Sequence, residues 1–451
     1  MKKKIVSLLM LGVLFTMAVA GCANSANANG KSSENQSTAQ SSSTDKNASG
    51  QKTEIDFWYS GGKTAVGVVQ NIIDEYNASQ NKYTVKAVTQ ADYDETYQKL
   101  QAAIAGNVAP DLVLLGASSA RSLYDKKLLT DLTSMTSKDS SFHKDDYLKV
   151  FYNQGVDEKG KVYALPAYGT TQIMYYNIAA FKDAGVNASD IKTWQDLAAA
   201  AKKIKDTGKY KFGWEPMWGP DNLIDAALSN GGKILNDDKT KVTINTKEWV
   251  DVWDSIGKWI HEDQTMSIHS GGQGWEYWYA TIDDVMKNTA GGYTGSSGDQ
   301  GDLDFKVVAA MEQPAWTTGT KSAPIADALT LSIPSKSSKV KQQGAYDFMK
   351  YFTNAKNQTT WTMKTGYVPV NNKVNDNADY KKYVQANPQA AVPLSQAAHA
   401  SVYPVDPTNG VIHDALKKAA DEVEIDGTSA QKALDEAQAT AQAALNEKLG
   451  K

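Results

Sequence analysis

The stretch "APDLVLLG", residues 109–116, restricts the architecture of this chain more than any other. Leu112, Val113, Leu114 and Leu115 follow one another without a polar residue, between Pro110-Asp111 and Gly116. A strand with one solvated face alternates apolar and polar. A strand that is apolar at every position is buried on both faces, as happens where helices cover both sides of a sheet. The neighbouring segments agree. "TEIDFWY" reads as a strand over residues 54–59, followed by a Ser-Gly-Gly turn and a helix with Val66, Val69, Ile72, Ile73 and Tyr76 at helical spacing. "KYTVKAVTQ" alternates like a strand, the next segment sets Tyr93, Tyr97, Leu100 and Ile104 in helical register, and a helix is expected over 117–127. Strands alternating with helices predict an α/β fold around a parallel-rich sheet.

Further along, "KVYALPAYGTTQIMYYN" reads as two short strands around Pro166 and the Gly169 bend. "TWQDLAAAAKKIKDTG" reads as a helix with Thr193 as N-cap and Gly208 as its stop. Trp249, Trp253, Ile256 and Ile260 recur at helical spacing, which marks a core stripe rather than a ligand platform. "LTLSIPS" is a second buried strand, "AYDFMKYFTNAKNQTTWTMKTG" a helix ending near Gly366, and the alanine-rich C-terminal segment is strongly helical.

The chain opens "MKKKIVSLLMLGVLFTMAVAGCANS": three lysines, an apolar run, then small residues, which is the layout of a secretory signal. The run is too short for a confident membrane span. "VAGC" resembles the lipobox of bacterial lipoproteins, a resemblance that implies removal of residues 1–21 and acylation of Cys22, the only cysteine. Residues 23–52 are almost all small and polar, with no aromatic or β-branched aliphatic residue to bury, so residues 22–52 read as a flexible tether.

The formal net charge of −4 offers no basic field for a nucleic acid. Arg121 is the only arginine, so bidentate capture of phosphate or carboxylate has one guanidinium available. No G-x-S-x-G elbow, H-E-x-x-H, Walker loop or G-x-G-x-x-G after a strand occurs. The histidines, His143, His261, His269, His399 and His413, show no metal-ligand spacing, and "GDQGDLD" lacks the distal glutamate of an EF-hand. Neither a cofactor nor a metal is expected.

The aromatic residues say more. Ten of the eleven tryptophans lie between Trp194 and Trp361. Indole and phenol rings offer a flat apolar face with a polar edge. A neutral sugar suits them, because its C–H face stacks while its hydroxyls find polar partners. Rings in loops beside glycine, proline and acids are the better candidates, and "FGWEPMWGPDN", residues 212–222, concentrates all of these.

With "FWYSGG", "APDLVLL", "VYALPAYGTTQIMYYNIAAFKDAGV" followed by "KTWQDL", "AGGYTGSSG", "TGYVPVN" and "GTSAQKALDEAQ" read together, the chain from residue 54 onward resembles the extracellular solute-binding proteins of ABC importers, in particular their carbohydrate-binding group. The resemblance implies an α/β, two-lobe periplasmic-binding-protein-like fold with a multi-strand hinge and a central cleft. Lobe one would comprise residues 53–164 plus 329–367, and lobe two residues 167–322 plus 370–451. Hinge crossings would fall near Leu165–Pro166, residues 323–328 and Pro369.

Carried over position by position, the resemblance places Tyr59 and Ser60, Asp92 and Tyr93, and Ser118 or Ser119 on the first lobe's side of the cleft. On the second side it places Tyr168, Gly169 and Thr170, then Trp214, Glu215 and Trp218, then Tyr293, Gly295 and Ser296. Asp327 would sit at a hinge crossing, and Tyr403 and Asp406 before the final helices. Arg121 is expected away from the cleft. The branch that binds glycerol phosphates would carry an arginine where this chain has "VYPVDPTNG", so a neutral mono- or oligosaccharide is the favoured ligand. The expected partners are a carbohydrate, the ABC permease and, through the lipid anchor alone, the membrane; a monomer is expected. A charged-polyol binder and a secreted glycoside-active enzyme are the alternatives from other ligand and function classes.

Overall fold

The computed structural model describes residues 52–402, 404–408 and 410–451. The signal, Cys22, nearly all of the tether and Tyr403 lie outside the described residues.

Eight strands form one sheet path: β1 (Thr53–Tyr59), β2 (Tyr83–Thr89), β3 (Leu112–Gly116), β4 (Leu165–Asn177), β5 (Glu215–Pro216), β6 (Gly292–Ser296), β7 (Val308–Met311) and β8 (Ala326–Ser332). Their order is β2-β1-β3-β8-β4-β6-β5, with β7 also on β4. The β1–β2, β1–β3 and β5–β6 pairs are parallel. The β3–β8, β8–β4, β4–β6 and β4–β7 pairs are antiparallel, so the sheet is mixed rather than parallel-rich. Local periodicity shows the strand–helix alternation of the first hundred residues after the tether. It does not show that β8, far downstream, returns to lie between β3 and β4.

β3 behaves as its composition demands. Leu112 and Leu114 enter one core with Ile55, Ile72, Leu331, Phe348 and Trp361, while Val113 and Leu115 enter another with Leu100, Ile104 and Leu123. A third core gathers Met174, Leu197, Leu416 and Leu434 around Trp194, Trp214, Trp249 and Trp253. The Trp249–Trp253–Ile256 stripe is fully buried there.

The segment around Pro166 is one long strand, not two. Pro166 lacks an N–H, and the ladder absorbs this at a register shift between Pro166 and Tyr168. At Gly169 a Cβ would meet the Phe151 ring at 2.2 Å, so glycine here makes room for a neighbour and does not end the strand. The first part of β4 pairs with β8, and residues 172–177 pair with β6 and β7. The helix Trp194–Asp206 carries the expected cap, a reciprocal box between Thr193 and Asp196. The expected single helix before Gly366 is two, Lys339–Phe352 and Ala355–Thr365, because Asn354 caps the second by accepting from the Asn357 N–H.

Candidate functional site

A cleft of about 930 Å³ opens beside the central strands. β4 contributes Thr170, Thr171 and Gln172, and β8 contributes Asp327 and Leu329. Asp92 and Tyr93 at the start of the helix Tyr93–Ala105, and Ser118 in the helix Ala117–Asp125, line one side. Trp218, Trp275, Tyr277, Trp278 and Tyr279 line another.

The rings form a continuous perpendicular chain. Tyr93 meets Trp275 at 5.6 Å and 77°, and Trp275 meets Trp278 at 5.7 Å and 87°. Trp278 meets Tyr277 at 6.1 Å and 71°, and Tyr277 meets Trp218 at 4.9 Å and 85°. Edge-to-face contacts hold the rings without covering both faces of each. Trp218 is fixed further by its indole N–H, which donates to Asp421 at 2.8 Å. Gly219 turns the chain with φ 114°, and Pro220 then starts the helix Pro220–Ser229.

Asp299 lies beneath the rings, accepting from Trp278 Nε1 at 2.8 Å and from Tyr293 OH at 3.1 Å. Burial pushes its carboxyl up to about 8 despite those two donors. Loss of solvent pushes Asp327 up to about 7, and its Oδ1 accepts from the Ala328 N–H. Three cleft-lining polar atoms are enclosed and make no hydrogen bond within the protein: Trp275 Nε1, Asn222 Oδ1 and Gln172 Oε1. One is a donor and two are acceptors, all neutral.

The cleft is acidic. Asp92, Asp94, Asp221, Asp302, Asp406 and Asp421 line it beside Asp299 and Asp327, against Arg121, His413 and Lys417. Arg121 does reach the cleft, contrary to the sequence expectation, but its guanidinium is bound to Asp125 at 3.0 Å and Glu158 at 2.7 Å. Lys417 pairs with Asp94 at 2.6 Å. Further contacts join the N-terminal segments to the second side. Tyr279 OH accepts from the Lys63 N–H at 2.8 Å and donates to Asp302 at 3.1 Å.

The structure therefore brings Asp92, Tyr93, Ser118, Thr170, Trp218, Ser296, Asp327 and Asp406 together at the cleft. Ser119 lines it as well, Tyr403 lies outside the described residues, and Tyr59, Ser60, Tyr168, Gly169, Trp214, Glu215, Tyr293 and Gly295 do not line it. Tyr59 is buried against Phe57, at 5.3 Å, and Ser60 is enclosed beside it. Tyr168 is packed between Trp361 and Tyr367, with only its hydroxyl touching Tyr93 OH at 3.1 Å. Tyr293 is stacked on Tyr175 behind Asp299. Trp214 is fully enclosed in the core, its N–H donating to Thr294 Oγ1 at 3.0 Å, and a Cβ at Gly292 would strike its ring at 2.2 Å. Glu215 is fully buried next to it; desolvation and the nearby Asp284 push its carboxyl up to about 9. The cause for Trp214 and Glu215 is β5, which pairs Glu215 with Tyr293 and Pro216 with Thr294 and so packs this segment against β6.

The segment 275–279 is a part of the site that the sequence expectations omit, although "GGQGWEYWY" sets rings and an acid behind glycines as residues 212–222 do.

A cleft of this volume, ringed by aromatic faces and carboxylates, is the geometry of a small-molecule binder. Residues 71–389 match the family model described as bacterial extracellular solute-binding protein, and the chain belongs to that family, whose members are substrate-binding transport proteins rather than enzymes. The chain is 25% identical over 369 residues to the sn-glycerol-3-phosphate-binding periplasmic protein of Agrobacterium fabrum, covering 76% of this chain and 80% of that one. It is 31% identical over 214 residues to the arabinooligosaccharide-binding protein of Bacillus subtilis, covering 46% of this chain and 44% of that one. Among solved structures, it resembles the ABC substrate-binding protein of Listeria monocytogenes in complex with cycloalternan, with a TM-score of 0.77, 22% identity, and coverage of 89% of this chain and 100% of that one. The fold is thus the α/β, two-lobe fold of periplasmic binding proteins.

Proposed function

We propose that this chain is the sugar receptor of an ABC importer, holding a neutral mono- or oligosaccharide in the cleft and presenting it to the permease. The observation that supports this reading is the pairing of the ring chain Tyr93–Trp275–Trp278–Tyr277–Trp218 with neutral polar groups that have no protein partner. Rings take the C–H faces of a pyranose, and Trp275 Nε1, Asn222 Oδ1 and Gln172 Oε1, enclosed in this form, meet its hydroxyls once the side chains over them shift, which gives these buried polar groups their missing partners. The carboxylates add hydroxyl acceptors and repel a phosphate. In this reading lobe one comprises residues 53–164 plus 329–367 and lobe two residues 167–322 plus 370–451, with β4 and β8 as hinge strands. Solute stabilises the closed form only through contacts that the open form lacks. Acylated Cys22 and the tether would hold the receptor, as a monomer, at the outer face of the cytoplasmic membrane.

A second reading, a glycerol-phosphate binder, draws on the Agrobacterium relative and on Arg121 and Lys417 at the cleft. A thermal-shift and calorimetric panel separates the two. Stabilisation by oligosaccharides without release of reducing ends supports the sugar receptor. Stabilisation by sn-glycerol 3-phosphate alone would replace it with the second reading, and turnover of the sugars would replace both with an enzyme.

A further inference from the structure

Glu215, His269 and Asp284 form a cluster apart from the residues that line the cleft. Each offers one ligand atom, and these atoms lie within 4.8 Å of one another. His269 Nε2 stands 3.0 Å from Asp284 Oδ2 and 3.7 Å from Glu215 Oε1. Glu215 is fully buried, and neither of its carboxylate oxygens has a hydrogen-bond partner. A buried acid with both oxygens unsatisfied is costly unless something else completes it. The imidazole of His269 stands near it but is already engaged by Asp284, and Lys211 acts on it only through its charge, without a hydrogen bond.

We propose that Glu215, His269 and Asp284 bind a divalent transition-metal ion, Zn²⁺ by their chemistry. One imidazole and two carboxylates make a mixed nitrogen–oxygen set that suits zinc better than calcium or magnesium, which take oxygen ligands. Zinc bonds of about 2.0–2.2 Å in tetrahedral geometry hold neighbouring ligand atoms about 3.3–3.6 Å apart. The two distances from His269, 3.0 and 3.7 Å, lie on either side of that span, and all three ligand atoms are within 4.8 Å, so side-chain rotations can close the site. A water completes the fourth position, since Asp284 and His269 are only part-buried. The ion takes the place of the hydrogen bond between His269 and Asp284 and gives a carboxylate oxygen of Glu215 a partner, with release of any proton the ligand atoms carry.

The site has a structural consequence for the cleft. Glu215 belongs to β5, three residues before Trp218. His269 lies in the segment leading to Trp275, and Asp284 in the helix Glu276–Met286 that carries Tyr277, Trp278 and Tyr279. One ion would therefore tie together the segments that present the rings. The inference does not depend on which solute the cleft takes.

The test uses the purified chain without an affinity tag, stripped with chelator and then dialysed against Zn²⁺ or Co²⁺. Expected are stoichiometric retained zinc by elemental analysis, a visible absorption band of four- or five-coordinate Co²⁺, and a rise in Tm that chelator reverses. His269→Gln, at a part-exposed position, is expected to fold with the stripped protein's Tm and to lose both the retained ion and the cobalt band. No retained metal and no shift in Tm would overturn the proposal. So would metal retained equally by His269→Gln, which would assign it to other groups. Glu215→Gln that raises Tm while zinc has no effect on the parent would identify Glu215 as a buried neutral acid instead.

Discussion

Residues 212–222 and 271–279 both crowd aromatic rings among glycines and acids, and the fold uses the two in different ways. In the first, β5 pairs with β6 and Trp214 goes into the core, so of its two tryptophans Trp218 reaches the cleft. In the second, Gly271, Gly272 and Gly274 take positive φ, the chain turns into the helix Glu276–Met286, and Trp275, Tyr277, Trp278 and Tyr279 reach the cleft. Two residues of strand pairing make the difference. Ring density identifies a segment that buries much surface; the backbone partner decides whether that surface is core or binding face.

The largest effect that would break this comparison is at Trp214. Trp214→Ala should cost about 3–5 kcal/mol of stability, because it empties a fully enclosed site. Gly292→Ala should destabilise through the same contact, since its new methyl would strike the indole. Urea unfolding measures both, and stability near that of the parent in Trp214→Ala would put the ring outside the core.

The second region rests on Asp299, which anchors Trp278, and this makes its support sensitive to pH. Burial pushes Asp299 from the ordinary 3.8 up to about 8, so the folded state holds its proton more tightly than the unfolded state does. The contribution to stability is complete below about 3.8 and is lost as pH rises towards 8. Asp327, at about 7, acts in the same direction. Asp302, Tyr293 and the buried Tyr175 and Tyr367 face Asp299 and supply no positive charge to offset this. Asp299→Asn should flatten the fall in Tm across this interval, and an unchanged slope would remove Asp299 as its source.

Smaller effects are expected where rings meet solute. Trp275→Ala and Trp218→Ala should each weaken binding by about 1–3 kcal/mol by calorimetry, with little change in Tm. Equal affinity in both variants would return the ring chain to a packing role. The smallest effect is at Lys417→Ala. Its pair with Asp94 is part-exposed and should contribute no more than about 1 kcal/mol to joining the two sides, read as a slight change in the compactness of the solute-free chain by small-angle scattering.

Much of the fold is written locally. The uninterrupted apolar run of β3 dictates two cores, and the spacing of Trp249 and Trp253 dictates a buried helix face. The site is less local. Asp92 and Tyr93 were legible because a helix start after a strand is a local event. Trp214 was not, because its environment depends on β6 and on Gly292, nearly eighty residues further on. Arg121 lines the cleft while paired with Glu158, a partner 37 residues away that its own helix does not reveal.

β4 is one strand shared by successive ladders of the sheet: its first half is bonded to β8 and its second to β6 and β7. Neither half of the molecule can shed its central strand without pulling on the hydrogen bonds of the other. Separate cores shared by one backbone are coupled cores, so disorder that begins in one is passed to the next along the strand. The cleft is thus flanked by a segment common to both cores, which couples their unfolding more tightly than separate strands would.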